Sequence, residues 1–346
     1  MPRVLPVVAA VLALGAGLAG CGGSSDGRPS TQAAGEGGYP VKLVNCGRNL
    51  ALAQAPQRVV VMNTGSVAEV STMLELGVQR YIVANAQDFG VSDVPGRAAA
   101  IAALPKGGVT LNALQDIPRA AMLQLKPDLV LSNTDAGFAP GLGFATRDDL
   151  AAFGANTYTP PHQCPAPGDA GAVVTPTMED SYTMLRDLGL VFAASERAEA
   201  HIAESKRRIA AVQAKIKGRT PKNVLIAMPG YTKASTGDFA YVAAHGVWND
   251  VLAKAGGVNP FDDPAGAATV VPQRAVLAKA KVDAVIFMNY RNPNPAKTVQ
   301  GIFLAYPGWE ASKRKRYIAL ADSLYLGPSN HVAVERIARL LHPEAF

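Results

Sequence analysis

The sequence predicts an α/β fold in which two α/β lobes are joined by one long helix. Three observations carry this prediction. An unbroken helical pattern runs from Ser195 to Gly218, β-branched runs alternate with helical patterns on both sides of it, and 346 residues exceed what one core normally holds. Ala198, Ile202, Ser205, Ile209, Val212 and Ile216 recur at helical spacing, whereas Glu204, Lys206, Arg207, Arg208 and Gln213 fall elsewhere. Ser195 reads as the N-cap, Glu196 and Glu199 suit the positive end, and Lys215 and Lys217 suit the negative end before Gly218 and Pro221. Such a helix is about 33 Å long, enough to span two lobes.

Residues 1–20 read as an export leader, because Arg3 precedes an apolar run from Val4 to Leu18 that is short for a membrane span. Residues 21–40, rich in Gly, Ser and Pro, read as a flexible tether. The first lobe is expected over 41–194. Strands are predicted at 58–62, 81–84, 128–131 and around 157–159, with helices at 67–76, 119–125 and 147–153. The connecting helix takes 195–218, and the second lobe follows over 219–346. Its strands are predicted at 223–228, 284–288 and 317–320, and its helices at 247–255 and 332–341.

Leu18-Ala19-Gly20-Cys21 resembles the lipobox of bacterial lipoproteins, in which the chain is cut before the cysteine and the thiol is lipidated. A plain secretory leader is the alternative. Cys46 and Cys164 then remain in an exported compartment that permits a disulfide, with two buried free thiols or metal ligation as other readings. A formal net charge of +6 suits an anionic ligand or an anionic membrane surface. The dense run Lys313-Arg314-Lys315-Arg316 lacks interleaved aromatics and reads as a solvated face with no nucleic-acid role.

Loops after strand carboxyl ends form the ligand crevice of α/β sheets. They nominate Met62, Asn63 and Thr64, then Asp88, Asn133 and Thr134, Tyr158 and His162. In the second half they nominate Met228 and Tyr231, Tyr241 and His245, then Met288, Asn289, Tyr290 and Arg291. Tyrosines offer flat amphipathic surface to a chelate or macrocycle, and Arg291 a fork for carboxylate or phosphate. Tyr241 and His245, four apart, are expected to share a helix face, which suits haem, a metal or packing.

Several strings in this order resemble the substrate-binding lipoproteins of ABC importers for ferric siderophores, haem and cobalamin. They are Pro56-Gln57-Arg58-Val59-Val60-Val61, Leu74-Glu75-Leu76-Gly77, Leu125-Lys126-Pro127-Asp128-Leu129-Val130, Leu252-Ala253-Lys254-Ala255-Gly256-Gly257-Val258-Asn259 and Leu341-His342-Pro343-Glu344. The resemblance covers about 41–346 and implies that the connecting helix is a rigid backbone and that a metal chelate is held in a ligand cleft between the lobes, with little hinge motion. The lipobox places the chain on the outer face of the cell membrane, and with no oligomerisation signature a monomer is the default. The family resemblance also implies a docking glutamate for an ABC permease on each lobe. At those positions stand Ala120, after Arg119, and Ala275, after Arg274, so altered docking is expected, with Glu69 or Glu75 as substitutes. No cofactor is implied beyond a ligand such as a ferric siderophore or haem. No nucleophile elbow, phosphate loop, zinc-protease helix or dinucleotide fingerprint occurs, which argues against an enzyme. A surface sensor or protein-interaction module not coupled to a standard permease is the remaining alternative.

Overall fold

Alternating burial along Val41–Asn45 marks the first strand, β1, which pairs antiparallel with β2 (Arg48–Leu52) through a turn of Cys46 and Gly47, both at positive φ. The computed structural model describes residues 38–164, 175–228, 241–263 and 267–346. The expected leader, Cys21, most of the tether and Tyr231 lie outside the described residues. Tyr39, placed in the tether by sequence, is already packed, its hydroxyl donating to the Val191 carbonyl at 2.6 Å.

The first lobe continues with β3 (Val59–Val61), α1 (Ala68–Glu75), β4 (Ile82–Asn85), α2 (Arg97–Ala102), α3 (Arg119–Leu125), β5 (Leu129–Leu131), α4 (Arg147–Ala152) and β6 (Asn156–Tyr158). Its sheet has the order β4-β3-β5-β6, and every pair is parallel. β3 and β5 are buried along their whole length, as expected of parallel strands covered on both faces. Cys46 and Cys164 are bonded, tying the β1–β2 turn to the segment after β6.

Next come α5 (Met178–Val191) and α6 (Ser195–Ile216). The six residues expected on the inner face of the connecting helix are the six that α6 buries. Its cap differs from expectation. The chain leaves α5 so tightly that Ala194 occupies the cap position, its N–H bonded to the Gly189 carbonyl at 2.6 Å, and Ser195 falls inside the helix without a capping bond. Gly189 is required here, because a Cβ on it would lie 2.8 Å from the Ala198 Cβ.

The second lobe contains β7 (Lys222–Met228), β8 (Tyr241–Ala243), α7 (Val247–Lys254), β9 (Gly257–Val258), β10 (Thr269–Val270), α8 (Arg274–Lys279), β11 (Ala284–Met288), α9 (Pro295–Ala305), α10 (Glu310–Arg314), β12 (Tyr317–Leu320) and α11 (Asn330–Leu341). Its sheet runs β10-β8-β7-β11-β12, with β9 beside β7. β7, β11 and β12 are mutually parallel, while β8 and β10 join antiparallel.

One apolar core unites the lobes. It takes Val59, Val61, Leu129 and Leu131 from the first sheet and Val224, Ile226, Ala284 and Ile286 from the second, together with the buried stripe of α6. The alternate residues face two separate cores, one per lobe, in which Val60 and Val130 pack on one side and Leu225, Val285 and Phe287 on the other. Polar ties reinforce the junction. The Asp93 carboxylate, 5% exposed, accepts the Ala321 N–H and the Ser323 hydroxyl, each at 2.6 Å, and pairs with Arg336. In return, the Asp93 N–H and Ser92 hydroxyl donate to Asp322 at 2.8 and 2.7 Å.

Candidate functional site at the strand ends

In the first sheet β3 connects to β4 on one side while β5 lies on the other, and the crevice at such a switch lies outside the strand carboxyl ends. Its floor is the turn Asn63-Thr64-Gly65, where Thr64 (φ 40°) and Gly65 (φ 68°) are left-handed. Asp116 holds that turn. Its Oδ1 accepts the Asn63 and Ile117 N–H groups, each at 2.9 Å, and its Oδ2 accepts the Thr64 N–H at 3.0 Å. Burial pushes the Asp116 carboxyl upward, and these three donors oppose the shift. Thr64 Oγ1 accepts the Asn133 N–H at 3.1 Å, joining the β3 and β5 ends. The Asn133 side-chain oxygen, shielded from solvent, has no partner among the described residues. Gly137 closes the edge, since a Cβ there would come within 2.1 Å of Ser132 Oγ. The glycine-rich stretch 137–143 thus begins as a packing element against the floor.

The loops after β4 and β11, also at strand carboxyl ends, meet each other. Arg291 Nη2 donates to the Asp88 carbonyl at 3.0 Å and to its carboxylate at 2.9 Å. Phe89 stands edge-on to Tyr290 at 5.1 Å and to Tyr325 at 5.3 Å. Gly90 allows this approach, because a Cβ on it would lie 3.0 Å from Arg291 Cγ. The structure therefore gathers Asn63, Thr64 and Asn133 in one group, and brings Asp88 and Phe89 against Arg291 and Tyr290 in another.

Other nominated residues stand elsewhere. The Met62 side chain, 1% exposed, belongs to the outer core of the first lobe. Met228 ends β7, packed against the shared core. Tyr241 and His245 do not share a helix face, because Tyr241 lies in strand β8, paired with Met228, and α7 begins only at Val247. His245 is buried, with Nδ1 at 2.9 Å from Asp262 and Nε2 against the Thr175 hydroxyl. Tyr158 is fully buried, donating to Asp187 at 2.9 Å. His162, after β6, has neither ring nitrogen partnered among the described residues, and burial lowers its pKa.

Arg119 and Arg274 open α3 and α8, each followed by an exposed alanine, Ala120 and Ala275. Arg119 is engaged by Asp149 through Nε at 2.9 Å and Nη2 at 2.6 Å. The Arg274 guanidinium lies 5.9 Å from the Tyr306 ring centre. Glu69 and Glu75 are not free to replace the alanines. Glu69 is fully buried, bonded to Gln87 Nε2 at 2.6 Å, and Glu75 is held by Arg97 and His201. Sequence reasoning missed Asp116, Phe89 and Asp93, whose partners lie far along the chain. Among the described residues, no group of three His, Cys, Asp or Glu side chains could hold a metal ion, and no helix is long and apolar enough to cross a membrane.

The sequence profile of the periplasmic binding protein family matches residues 60–324, more than half of the chain. The chain belongs to this family. It is thus a solute-binding protein of the extracytoplasmic space and not an enzyme. Among solved structures, this binding protein is similar to a Saccharomonospora viridis ABC-type Fe3+-hydroxamate transport system, at 22% identity and TM-score 0.66, over 87% of this chain and 99% of that one. A periplasmic binding protein from Veillonella parvula is similar at 19% identity and TM-score 0.70, over 87% and 97% of the two chains. A periplasmic haem-binding protein of Vibrio cholerae is similar at 18% identity and TM-score 0.60, over 82% and 98%. These likenesses establish the fold, whose two lobes and connecting helix agree with the sequence reading. Comparison with curated proteins finds no match.

Proposed function

We propose that this binding protein is lipidated at Cys21 and holds an iron–siderophore-type chelate between lobes 41–194 and 219–346, for delivery to an ABC permease. The observation that carries the reading is the convergence of carboxyl-end loops from both sheets, with Asp88 and Phe89 meeting Tyr290 and Arg291. The strand ends of the first sheet add a neutral floor of Asn63, Thr64 and the Asn133 oxygen, which has no partner among the described residues. A chelate would stack on the Tyr290 side of the cleft, and its carboxylate or hydroxamate oxygens would take the Arg291 fork from Asp88. The metal would arrive inside the ligand, needing no protein coordination sphere. The Saccharomonospora ferric-hydroxamate likeness supports this class. His162 favours haem as a second reading, since its ring nitrogens have no partner among the described residues and an imidazole is a usual axial ligand.

Absorption and tryptophan-fluorescence titrations against haem and a panel of ferric siderophores separate these readings. The siderophore reading expects saturable binding of one ferric chelate, lost in the Tyr290→Ala/Arg291→Ala variant. Haem binding whose Soret band shifts in His162→Ala would favour the second. Failure of the whole panel with a folded chain would reject both and favour a protein-interaction role.

Docking follows the same reading with an altered charge pattern. Alanine stands at both positions where the resemblance implies carboxylates, each just after an arginine, Arg119 or Arg274, so the permease partner is proposed to carry facing acids. Ala120→Glu with Ala275→Glu is expected to impair uptake through the protein's own permease. Improved uptake would contradict altered docking.

A further inference from the structure

We infer that the strand-start end of the second lobe is a docking face for an anionic lipid surface. Parallel pairing brings the starts of β7, β11 and β12 to one end of the sheet, opposite the loops of the proposed cleft. Lys222 opens β7, Lys281 precedes β11, and Arg316 immediately precedes β12. The Ala311 N–H bonds the Val282 carbonyl at 2.9 Å, and the Val285 N–H bonds the Arg316 carbonyl at 3.1 Å. α10 is thereby anchored beside Lys281 and adds Lys313, Arg314 and the following Lys315. A run that reads as an ordinary solvated face in sequence thus joins cations from two other strand starts.

Counting Arg219, seven cations share this end with three carboxylates, Asp283, Glu310 and Glu344, the last of which pairs with Arg219 and also feels Lys222. Asp283 is committed to the fold, accepting the Asn223 N–H at 2.8 Å, and Glu310 pairs with Lys313 at 3.9 Å and with Arg314. Four positive charges remain. Lys222, Lys281, Lys315 and Arg316 form no ion pair among the described residues, and Lys313 and Arg314 stay 61% and 63% exposed. A helix dipole accounts for cations at the α10 carboxyl end, but not for Lys222, Lys281 or Arg316, which lie outside helices.

A second feature points to lipid rather than to an acidic polypeptide. α9 ends at this same end of the sheet, where Phe303 stands edge-on to Tyr317 at the β12 start. Its Leu304 side chain is 84% exposed. A protruding leucine near the end of α9, at the same end of the sheet as the unpaired cations, matches a headgroup layer, in which the charges meet anionic phosphates and the leucine enters the acyl boundary. The inference rests on the proposal that the chain works at a membrane surface. It adds that the unoccupied protein lies with its cleft end directed away from the lipid, by contacts weak enough to release for docking.

Residues 31–346 form a compact unit by themselves, so they can be tested without the leader or a lipid chain. Sedimentation with phosphatidylglycerol-containing vesicles is expected to pull the protein down, and pure phosphatidylcholine vesicles are expected to leave it in solution. Each lost cation should weaken binding about fivefold, so K313E/K315E/R316E should weaken it more than about a hundredfold. Leu304→Ser should weaken it while leaving the salt dependence intact. Equal pelleting with neutral vesicles, undiminished binding of the triple variant, or no vesicle binding would overturn the inference. Retention on polyglutamate without vesicle binding would assign the patch to an acidic protein and overturn it as well. Because no chelate enters this assay, failure here is distinguishable from failure of the proposed cleft.

Discussion

His201 illustrates how one side chain reports its protonation state through geometry. Its Nδ1 lies 2.9 Å from Glu75 Oε1 and its Nε2 lies 2.7 Å from the Pro328 carbonyl, and both partners are acceptors. An imidazole can satisfy both only as the imidazolium. Burial opposes that charge, but the Glu75 and Pro328 bonds outweigh it and raise the His201 pKa above its ordinary value. The His201 bond in turn holds Glu75 down to about 2 against its own burial, with Arg97 assisting. A raised histidine pKa adds stability that is complete below the unfolded value of 6.5 and is lost as pH rises through the folded value. The depressed Glu75 pKa adds stability that is present above 4.5 and is lost as pH falls toward about 2. The clamp between α1, α6 and the 326–329 loop is therefore fullest between those limits. Urea unfolding should show His201→Gln costing most near pH 6 and little at alkaline pH, and a pH-independent cost would refute the imidazolium. Asp116 is the second residue to test. Asp116→Ala strands the Asn63, Thr64 and Ile117 N–H groups and should cost about 2–3 kcal/mol, measured by denaturant midpoint, together with ligand affinity. Asn63, Thr64 and Asn133 were legible because they follow β-branched runs. Asp116, 53 residues from the Asn63 N–H it receives, left no local pattern.

At the scale of elements, buried strands and long stripes were the most legible. β5, β11 and β12 carry short apolar runs, and the α6 stripe was read residue for residue because a 3.6-residue period over 22 residues leaves little ambiguity. Helix α5 was missed although it has a readable start, a capping box in which Thr177 and Asp180 bond each other's backbone N–H groups. α8 and α10 are too short, at 6 and 5 residues, for a period to emerge. Two elements carry predictions. The disulfide closes a separation of 118 residues, so Cys46→Ser/Cys164→Ser should lower the unfolding free energy by about 4–5 kcal/mol in the chain-entropy model. An unchanged urea midpoint would show that the hairpin is secured by other contacts. Gly189→Val should cost about 1–3 kcal/mol, because α5 and α6 would have to part at Ala198.

For the molecule as a whole, the shared core and the Asp93–Asp322 exchange explain why residues 31–346 form one compact unit although they contain two lobe sheets besides the β1–β2 pair. The sequence announced the two sheets but not their union, since Asp93 and its partners are about 230 residues apart. Asp93→Ala frees Arg336 and the Ser323 hydroxyl together, so small-angle scattering should record a wider molecule with the same secondary structure by circular dichroism. No widening would place the lobe restraint in the apolar core alone. The proposed cleft is the claim on which most depends, and hydrogen exchange with and without the ferric chelate that binds would test it most directly. The account predicts added protection at 63–65, 88–90, 133–134 and 289–292 together, because one ligand would bridge the carboxyl-end loops of both sheets. Protection confined to a single lobe, or to the α5–α6–α7 surface around Lys206 and Lys254, would contradict it.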